Sequence, residues 1–169
     1  MFLDFIKKYR RVYVSAFVDD WKDKRDRNVF RPSGFQVYIG RQGSGKTISA
    51  VRHVLELKKR YPRAIIVTNL RLNVSWSYRE FSTVDELVEL LIEVQNGKYG
   101  VVYLIDEIHT YFNALDSKGI PSYIFTEISQ QRKQRKLIIG TSQLFMRIDK
   151  PFREQCDNMI SCDTWFGVL

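Results

Sequence analysis

Mostly apolar runs of four or five residues alternate along this chain with segments of amphipathic helical periodicity. The runs are rich in β-branched side chains, which is typical of strands that are buried on both faces. The predicted strands are Phe35–Ile39, Ala64–Thr68, Val101–Ile105, Leu137–Thr141 and Met159–Cys162. The predicted helices cover residues 46–60, 84–94 and 122–135. Buried strands that alternate with helices predict an α/β fold with a mostly parallel sheet flanked by helices.

Local sequence signals mark the two ends of the second predicted helix. Thr83, followed three residues later by Glu86, forms a capping box at its start, and Gly97 is expected to end it. Residues 72–81 fit neither the helical nor the strand period, so a hairpin and an irregular excursion both stay open there.

Residues 1–34 have a different pattern and form a predicted N-terminal helical extension to a domain at 35–169. Apolar residues recur at helical spacing in 2–17 with Lys and Arg between them, and Pro32-Ser33-Gly34 ends the segment. A basic amphipathic helix of this kind docks on a membrane or a partner, or packs its apolar stripe on its own domain.

Composition limits the size of the fold and the class of partner. The chain has 169 residues, enough for one domain, and 44% of them are hydrophobic, which predicts a buried core. A net charge of +8 favours an anionic partner, which can be nucleic acid, an acidic membrane surface or phosphates. The two cysteines and two histidines do not form a four-ligand zinc pattern, and no apolar stretch is long enough to span a bilayer. No secretory signal is visible, so we expect a cytoplasmic protein, with association with a virion or a membrane left open.

Residues 40–47 match the phosphate-binding loop pattern G-x-x-x-x-G-K-[ST] between a predicted strand and a predicted helix. The glycines let backbone N–H groups wrap a phosphate, and the helix N-terminus adds the positive end of its dipole. Lys46 is expected to contact the β- and γ-phosphates of ATP, and Thr47 offers a hydroxyl to Mg²⁺. The predicted ATP-binding residues are Gly40, Arg41, Gln42, Gly43, Ser44, Gly45, Lys46, Thr47 and Ile48.

The third predicted strand ends in two acids, which is the Walker B pattern. Asp106 can hold Mg²⁺ with Thr47. Glu107 can polarise a water for attack on the γ-phosphate, although an acid at this position also caps helices. His109 completes a sequence like a helicase DExH box, but such helicases need two motor domains, so we expect a packed histidine.

The fourth predicted strand leads into three polar residues at its carboxyl end. Thr141, Ser142 and Gln143 are expected to face the γ-phosphate, because the carboxyl ends of parallel strands meet at the ligand edge of a sheet. The neutral amide of Gln143 can position the attacking water there, and a plain polar strand end is the alternative.

A basic segment surrounds the same strand. Between Ser129 and Glu154, seven cations stand against two acids, which suits either a DNA backbone or an ATP site shared between subunits. Arg132 or Arg135 is a candidate finger that reaches the γ-phosphate of a neighbouring subunit. The alternative is a solvated helix end whose cations the helix dipole favours.

These motifs together resemble the Zot-type ATPases, named for the zonula occludens toxin and including the filamentous-phage assembly ATPases. They belong to the FtsK–HerA group of DNA-pumping motors, which also holds viral genome-packaging ATPases. The resemblance rests on GRQGSGKT, Thr68-Asn69 after the second strand, Asp106-Glu107, the Gln-Arg segment 130–135 and Gln143. It implies a RecA-like P-loop NTPase fold in which the strand bearing Gln143 lies between the P-loop strand and the Walker B strand.

The resemblance also implies ATP and Mg²⁺ as cofactors, a γ-phosphate contact for Gln143, and a homo-oligomeric ring, commonly a hexamer. An arginine near Arg132 or Arg135 would act in trans. The chain departs from the family where Gln131 replaces a usual histidine and in the 34 residues before the first strand. The downstream membrane span usual in the family is not seen in this sequence. These departures favour DNA packaging or translocation over export.

We therefore expect a motor ATPase that moves DNA for a virus or mobile element, with DNA, other subunits of its ring, and a viral capsid vertex or a membrane as partners. The first alternative is a membrane-associated phage assembly or secretion ATPase, which the basic amphipathic stripe favours. The second is a small nucleotide or metabolite kinase, but Glu107 directly after Asp106 fits water activation better.

Overall fold

The computed structural model describes Asp26, residues 28–112 and residues 133–163. In this part of the chain, six parallel strands form one sheet. The strands are β1 (Gly34–Ile39), β2 (Ile65–Thr68), β3 (Arg79–Glu80), β4 (Val101–Ile105), β5 (Lys136–Ser142) and β6 (Asn158–Ser161). The helices are α1 (Lys46–Arg60), α2 (Val84–Glu93) and α3 (Lys150–Arg153), with 3₁₀ turns at Gly97–Tyr99, Ile108–Thr110 and Phe145–Arg147. This architecture confirms the predicted P-loop α/β fold.

The strand order is β3-β2-β4-β5-β1-β6, so the chain crosses over between neighbouring strands. Strand β5 lies between β1 and β4, as the resemblance implied, with Ile39 opposite Ser142 and Ile105 opposite Gly140. All strands run in one direction, so their carboxyl ends share one edge of the sheet. We call this the carboxyl edge, and the opposite one the amino edge.

Strand β4 shows why its sequence is apolar at every position. Val101, Tyr103 and Ile105 pack into a core cluster with α2, and Val102 and Leu104 pack into a second cluster with α1 on the other face. All five side chains are fully buried. A strand that is covered on both faces has no side chains that face solvent, so apolar and polar residues do not alternate along it.

The capping box and the end of α2 have different outcomes. The Glu86 N–H donates to Thr83 Oγ1 (3.2 Å) while Glu86 Oε2 accepts from the Thr83 N–H, so the predicted capping box is confirmed. The helix ends at Glu93 rather than near Gly97, because Val94 leaves the helical conformation and is buried in the core. Residues 72–81 form an irregular excursion that ends in the two-residue strand β3.

Part of the predicted N-terminal extension packs against the domain. The ring of Phe30 is fully buried, and the backbone N–H of Phe30 donates to the Lys98 carbonyl (2.8 Å). Gly100 (φ 71°) lies against this ring, since a Cβ on it would fall 2.1 Å from Phe30 Cδ1. The amphipathic stripe at 2–17 and most of the predicted helix at 122–135 lie outside the described residues.

The two cysteines are free thiols. Burial raises the pKa of both Cys156 and Cys162, which favours the neutral thiol over a metal-binding thiolate. In the described residues, no cluster of three or more His, Cys, Asp or Glu side chains is placed to bind a metal. None of the described helices is both long and apolar enough to cross a bilayer.

Candidate active site

The loop between β1 and α1 is shaped around its glycines. Gly40, Gly43 and Gly45 have φ angles of 155°, 77° and 80°, which side-chain-bearing residues rarely adopt. A Cβ on Gly40 would also lie 2.3 Å from the Cys162 carbonyl oxygen. The sequence therefore needs glycine here for both conformation and space, and α1 begins directly after the last of them.

The loop leaves polar groups available at the start of α1. Gly45 gives no side-chain cap, and the first turn carries no acid, so the helix N-terminus is open to an anion. The Ser44 hydroxyl is buried without a hydrogen-bond partner in the structure. Lys46 is 6% exposed, and its ammonium donates to the Arg41 carbonyl (3.0 Å), which keeps it inside the loop. These donors suit the phosphates of a nucleotide.

Three side chains from three elements meet beside this loop. Asp106, which follows β4, accepts hydrogen bonds at Oδ1 from Thr47 Oγ1 (2.8 Å) and Thr141 Oγ1 (2.7 Å). Thr47 lies in the first turn of α1, and Thr141 lies on β5, which is between β1 and β4. The strand order thus brings the loop hydroxyl and the carboxylate within direct contact, as their motifs predicted.

Asn69 fixes the backbone of Asp106 from the other side. Its Oδ1 accepts from the Asp106 N–H (2.8 Å), and its Nδ2 donates to the Asp106 carbonyl (2.9 Å). Asn69 follows β2, the neighbour of β4, so this two-point contact ties two strand ends together. Among the residue roles inferred from sequence, Asn69 figured only in the family resemblance. The signal that could have found it is an amide directly after a strand adjacent to the Walker B strand.

Glu107 has a left-handed backbone (φ 50°, ψ 51°), and its N–H donates to Thr141 Oγ1 (2.9 Å). Its carboxylate does not cap the 3₁₀ turn that follows, so the capping alternative is not what the structure shows. Glu107 Oε2 lies 3.3 Å from His109 Nδ1, and the side chain is 37% exposed. The carboxylate therefore stands at the carboxyl edge, one residue beyond the Thr47–Asp106 contact.

His109 is mostly buried, as expected, with its side chain 16% exposed. Its Nδ1 also lies 3.3 Å from Ser142 Oγ, which itself donates to the Leu144 carbonyl (3.0 Å). Nδ1 of His109 thus lies 3.3 Å from both Ser142 Oγ and Glu107 Oε2. His109 is therefore placed between the end of β5 and the Glu107 carboxylate.

The model of the AAA family, the ATPase family associated with various cellular activities, matches residues 37–164. This match covers well over half of the chain. The chain belongs to the AAA ATPase family. It is therefore a P-loop, ATP-binding enzyme of the NTP-hydrolysing class. No curated protein matches the chain in sequence.

Solved structures share the fold of this AAA ATPase at low sequence identity. The N-terminal domain of zonular occludens toxin from Neisseria meningitidis aligns with a TM-score of 0.61 at 17% identity, covering 76% of each chain. The genome-packaging NTPase B204 of Sulfolobus turreted icosahedral virus 2, solved with sulfate, aligns with a TM-score of 0.62 at 19% identity, covering 80% of this chain and 76% of that one. These two neighbours agree with the Zot-type and viral packaging ATPases that the motifs resemble.

The three polar residues at the carboxyl end of the fourth predicted strand do not share one role. Thr141 and Ser142 are fully buried and bonded to protein groups, so the prediction that they face the γ-phosphate is wrong. Their positions inside the sheet, rather than beyond its edge, explain the error, because β5 runs on to Ser142. Gln143 is half-buried at the carboxyl edge, and its γ-phosphate contact stays a prediction.

The two candidate finger arginines are placed differently. Arg132 lies outside the described residues. Arg135 directly precedes β5 at the amino edge, far along the strand from the P-loop, and its guanidinium donates to the Phe30 carbonyl (3.1 Å). Within its own chain, Arg135 therefore joins the domain to the segment before β1, and a role in trans stays a prediction.

The predicted basic segment is divided by the sheet. Lys136 is buried at the amino edge, and its ammonium donates to the Leu91 carbonyl in the last turn of α2. A cation there stabilises the negative end of the helix dipole. Arg147 and Lys150 instead follow the carboxyl end of β5 and are exposed. The segment is therefore not one continuous cationic surface.

Proposed function

We propose that this AAA ATPase is a Mg-ATP-hydrolysing motor that translocates or packages DNA for a virus or mobile element. The observation that supports this proposal is the arrangement of side chains at the carboxyl edge. It places Thr47, Asp106 and Glu107 side by side in a fold shared with a genome-packaging NTPase. The net charge of +8 supports an anionic cargo.

Thr47 and Asp106 suit Mg²⁺. Hydroxyl and carboxylate oxygens are the ligands this ion prefers, and it usually takes one or two from the protein and the rest from waters and nucleotide phosphates. The two oxygens already lie 2.8 Å apart beside the loop. Thr47 and Asp106 would hold the ion, which would neutralise charge on the β- and γ-phosphates. Asn69 and Thr141 keep the Asp106 backbone and carboxylate in place for this contact.

Glu107 would act as the base that orients and polarises water. Its N–H is held by Thr141 and its carboxylate lies near His109, so its position is fixed from two sides. A base held in this way needs no rearrangement of the main chain before it acts. Lys46 would stabilise the charge that develops on the γ-phosphate, and Gln143 would help to position the water.

We further propose a homo-oligomeric ring, which a hexamer would satisfy, with an arginine such as Arg132 or Arg135 completing the site of the next subunit. Two exposed apolar side chains, Leu144 (57%) and Met146 (69%), follow the carboxyl end of β5 and offer an apolar contact area near the nucleotide. A viral capsid vertex or a membrane would be the outer partner of such a ring. We propose that the ring acts in the cytoplasm together with this partner.

The proposal predicts that linear DNA stimulates ATP hydrolysis at low salt. Contacts between the protein and DNA phosphates weaken as salt rises, so the stimulation should fall steeply between about 50 and 200 mM salt. Steady-state phosphate release with and without DNA measures this effect. Glu107→Gln should lower both the basal and the stimulated rate by about 10²–10⁴-fold.

A different result would favour the membrane-associated assembly ATPase. The basic amphipathic stripe at 2–17 and the fold shared with the zonular occludens toxin domain support that alternative. If DNA does not change the rate of ATP hydrolysis but vesicles of anionic lipid raise it, the membrane-associated assembly ATPase replaces the DNA motor as the proposed function. Vesicles of neutral lipid are the control, because the basic residues of the segment 2–17 need anionic headgroups to bind.

A further inference from the structure

A second basic region lies away from the nucleotide site. From Leu57 to Arg79 the chain carries six cations and no acid. The six are Lys58, Lys59, Arg60, Arg63, Arg71 and Arg79. This stretch holds a larger share of the net charge than the segment around β5. Aromatic residues such as Trp76 and Tyr78 are interleaved with the cations.

The fold gathers part of this stretch around one cavity. The cavity measures about 470 Å³ and is lined by Lys58, Arg63, Tyr78 and Arg79, among others. Lys58 lies near the end of α1, Arg63 precedes β2, and Arg79 begins β3 beside β2. The cavity therefore lies toward the amino edge, at the opposite end of the sheet from the P-loop. A volume of this size is within the usual range for a small-ligand site of about 300–1,000 Å³.

The cations around the cavity are held by aromatic rings. The Lys58 ammonium stands 5.3 Å over the ring of Trp76, and the Arg63 guanidinium stands 4.9 Å over the ring of Tyr99 and donates to its hydroxyl (2.5 Å). Trp76 and Tyr78 pack edge to face at 6.0 Å. Rings that orient cations in this way reduce the entropy lost when the cations bind an anion.

Among the described residues, those that line the cavity include three cations and no acid. Burial lowers the pKa of Lys58, whose ammonium donates to the Pro62 and Ala64 carbonyls and lies over the Trp76 ring. The nearby Glu80 carboxylate lies beside the hydroxyl of Tyr78, which lines the cavity. Arg63 and Arg79 are exposed. An anion in the cavity would therefore meet two accessible guanidinium groups and a partly desolvated ammonium.

We propose that this amino-edge cavity binds single-stranded DNA, with Arg63 and Arg79 on the phosphodiester backbone and Tyr78, which packs against Trp76, beside a base. Sites for single strands combine a cationic groove with aromatic side chains that stack on bases. The cavity has room for one nucleotide unit, whereas a duplex keeps its bases stacked inside. A membrane surface fits less well, because the exposed large apolar residues Ile48, Ile92, Leu144, Met146 and Met159 all lie outside this stretch.

This inference rests on the proposed DNA motor, and one binding experiment separates the two. Fluorescence anisotropy of a labelled oligothymidine, without nucleotide, would compare wild type with Arg63→Gln/Arg79→Gln and Arg147→Gln/Lys150→Gln. Each double variant removes two exposed cations, so the loss of net charge is the same. We expect the first to raise Kd on the order of tenfold and to reduce the salt slope by about 1.4, at about 0.7 per phosphate contact on a single strand. The second should bind like wild type.

Other outcomes would overturn one claim or the other. Equal affinity of both double variants and wild type, or a loss only in Arg147→Gln/Lys150→Gln, would refute the amino-edge cavity and leave the DNA motor standing. A tenfold preference of the wild type for duplex of the same length would refute the single-strand assignment. No binding of any DNA by the wild type at low salt would refute the DNA cargo itself. Unchanged DNA-free ATP hydrolysis in Arg63→Gln/Arg79→Gln shows that the fold is intact.

Discussion

Replacing Glu107 with Gln should lower kcat for ATP hydrolysis by about 10²–10⁴-fold and leave ATP affinity near that of the wild type. The amide keeps the shape of the side chain but cannot accept a proton from water. The backbone N–H that Thr141 holds is unchanged by the substitution, so the strand end should keep its conformation. Steady-state phosphate release gives kcat, and titration with a fluorescent ATP analogue gives the affinity.

Glu89→Gln is the matched control for this variant. Glu89 is an exposed acid on α2, so the same chemical change there removes one charge without touching the carboxyl edge. The control should hydrolyse ATP at the wild-type rate. If Glu107→Gln also hydrolyses ATP at that rate, another group activates the water and the role proposed for Glu107 is wrong.

Replacing Thr141 with Val should lower the free energy of unfolding by about 2 kcal/mol. Valine has nearly the same shape, so the change removes the hydroxyl with little change in packing. The Thr141 side chain is fully buried, and its Oγ1 both donates to Asp106 Oδ1 and accepts from the Glu107 N–H. Its loss leaves the Glu107 N–H without its acceptor beside the site. Urea unfolding followed by far-UV circular dichroism measures the effect, and ATP hydrolysis should fall with it.

Thr141→Ser separates the hydroxyl from the methyl group. Serine keeps both hydrogen bonds and loses only the methyl group, so its hydrolysis rate should stay close to that of the wild type. The valine variant should lose more activity than the serine variant at a temperature where both are folded. The reverse order would show that packing of the methyl group, rather than the hydroxyl link to Asp106, positions the carboxyl edge.

Local patterns in the sequence were sufficient for the main strands, the helices after the P-loop strand and before β4, and the glycine-rich loop. The strands at Val101–Ile105 and around 137–141 were predictable because burial on both faces leaves an apolar run. The glycines of the P-loop and the Thr83–Glu86 capping box are likewise local signals, since each constrains residues that are near in sequence. Gly97 does not end α2, contrary to expectation, because the helix already ends at Glu93 and the burial of Val94 depends on the whole domain.

The polar contacts of the site depend on strand order, which no local pattern contains. Asn69 reaches Asp106 only because β2 neighbours β4, and Thr141 reaches it only because β5 lies on the other side. The same limit applies to charge. Lys136 and Arg135 count as cations in the sequence, yet one is buried against α2 and the other is bonded to Phe30. Net charge therefore does not show which surface of the protein carries accessible cations.

Single-turnover phosphate release tests the central claim, which is that this edge of the sheet hydrolyses Mg-ATP with water. Enzyme in excess over ATP would be mixed with Mg²⁺ or with a chelator, and released phosphate would be followed without any acceptor and with added nucleoside monophosphates. We expect Mg²⁺-dependent release of phosphate to water at a rate that the acceptors do not change. Release that proceeds equally in the chelator, or transfer of the phosphoryl group to an acceptor in place of water, would contradict it.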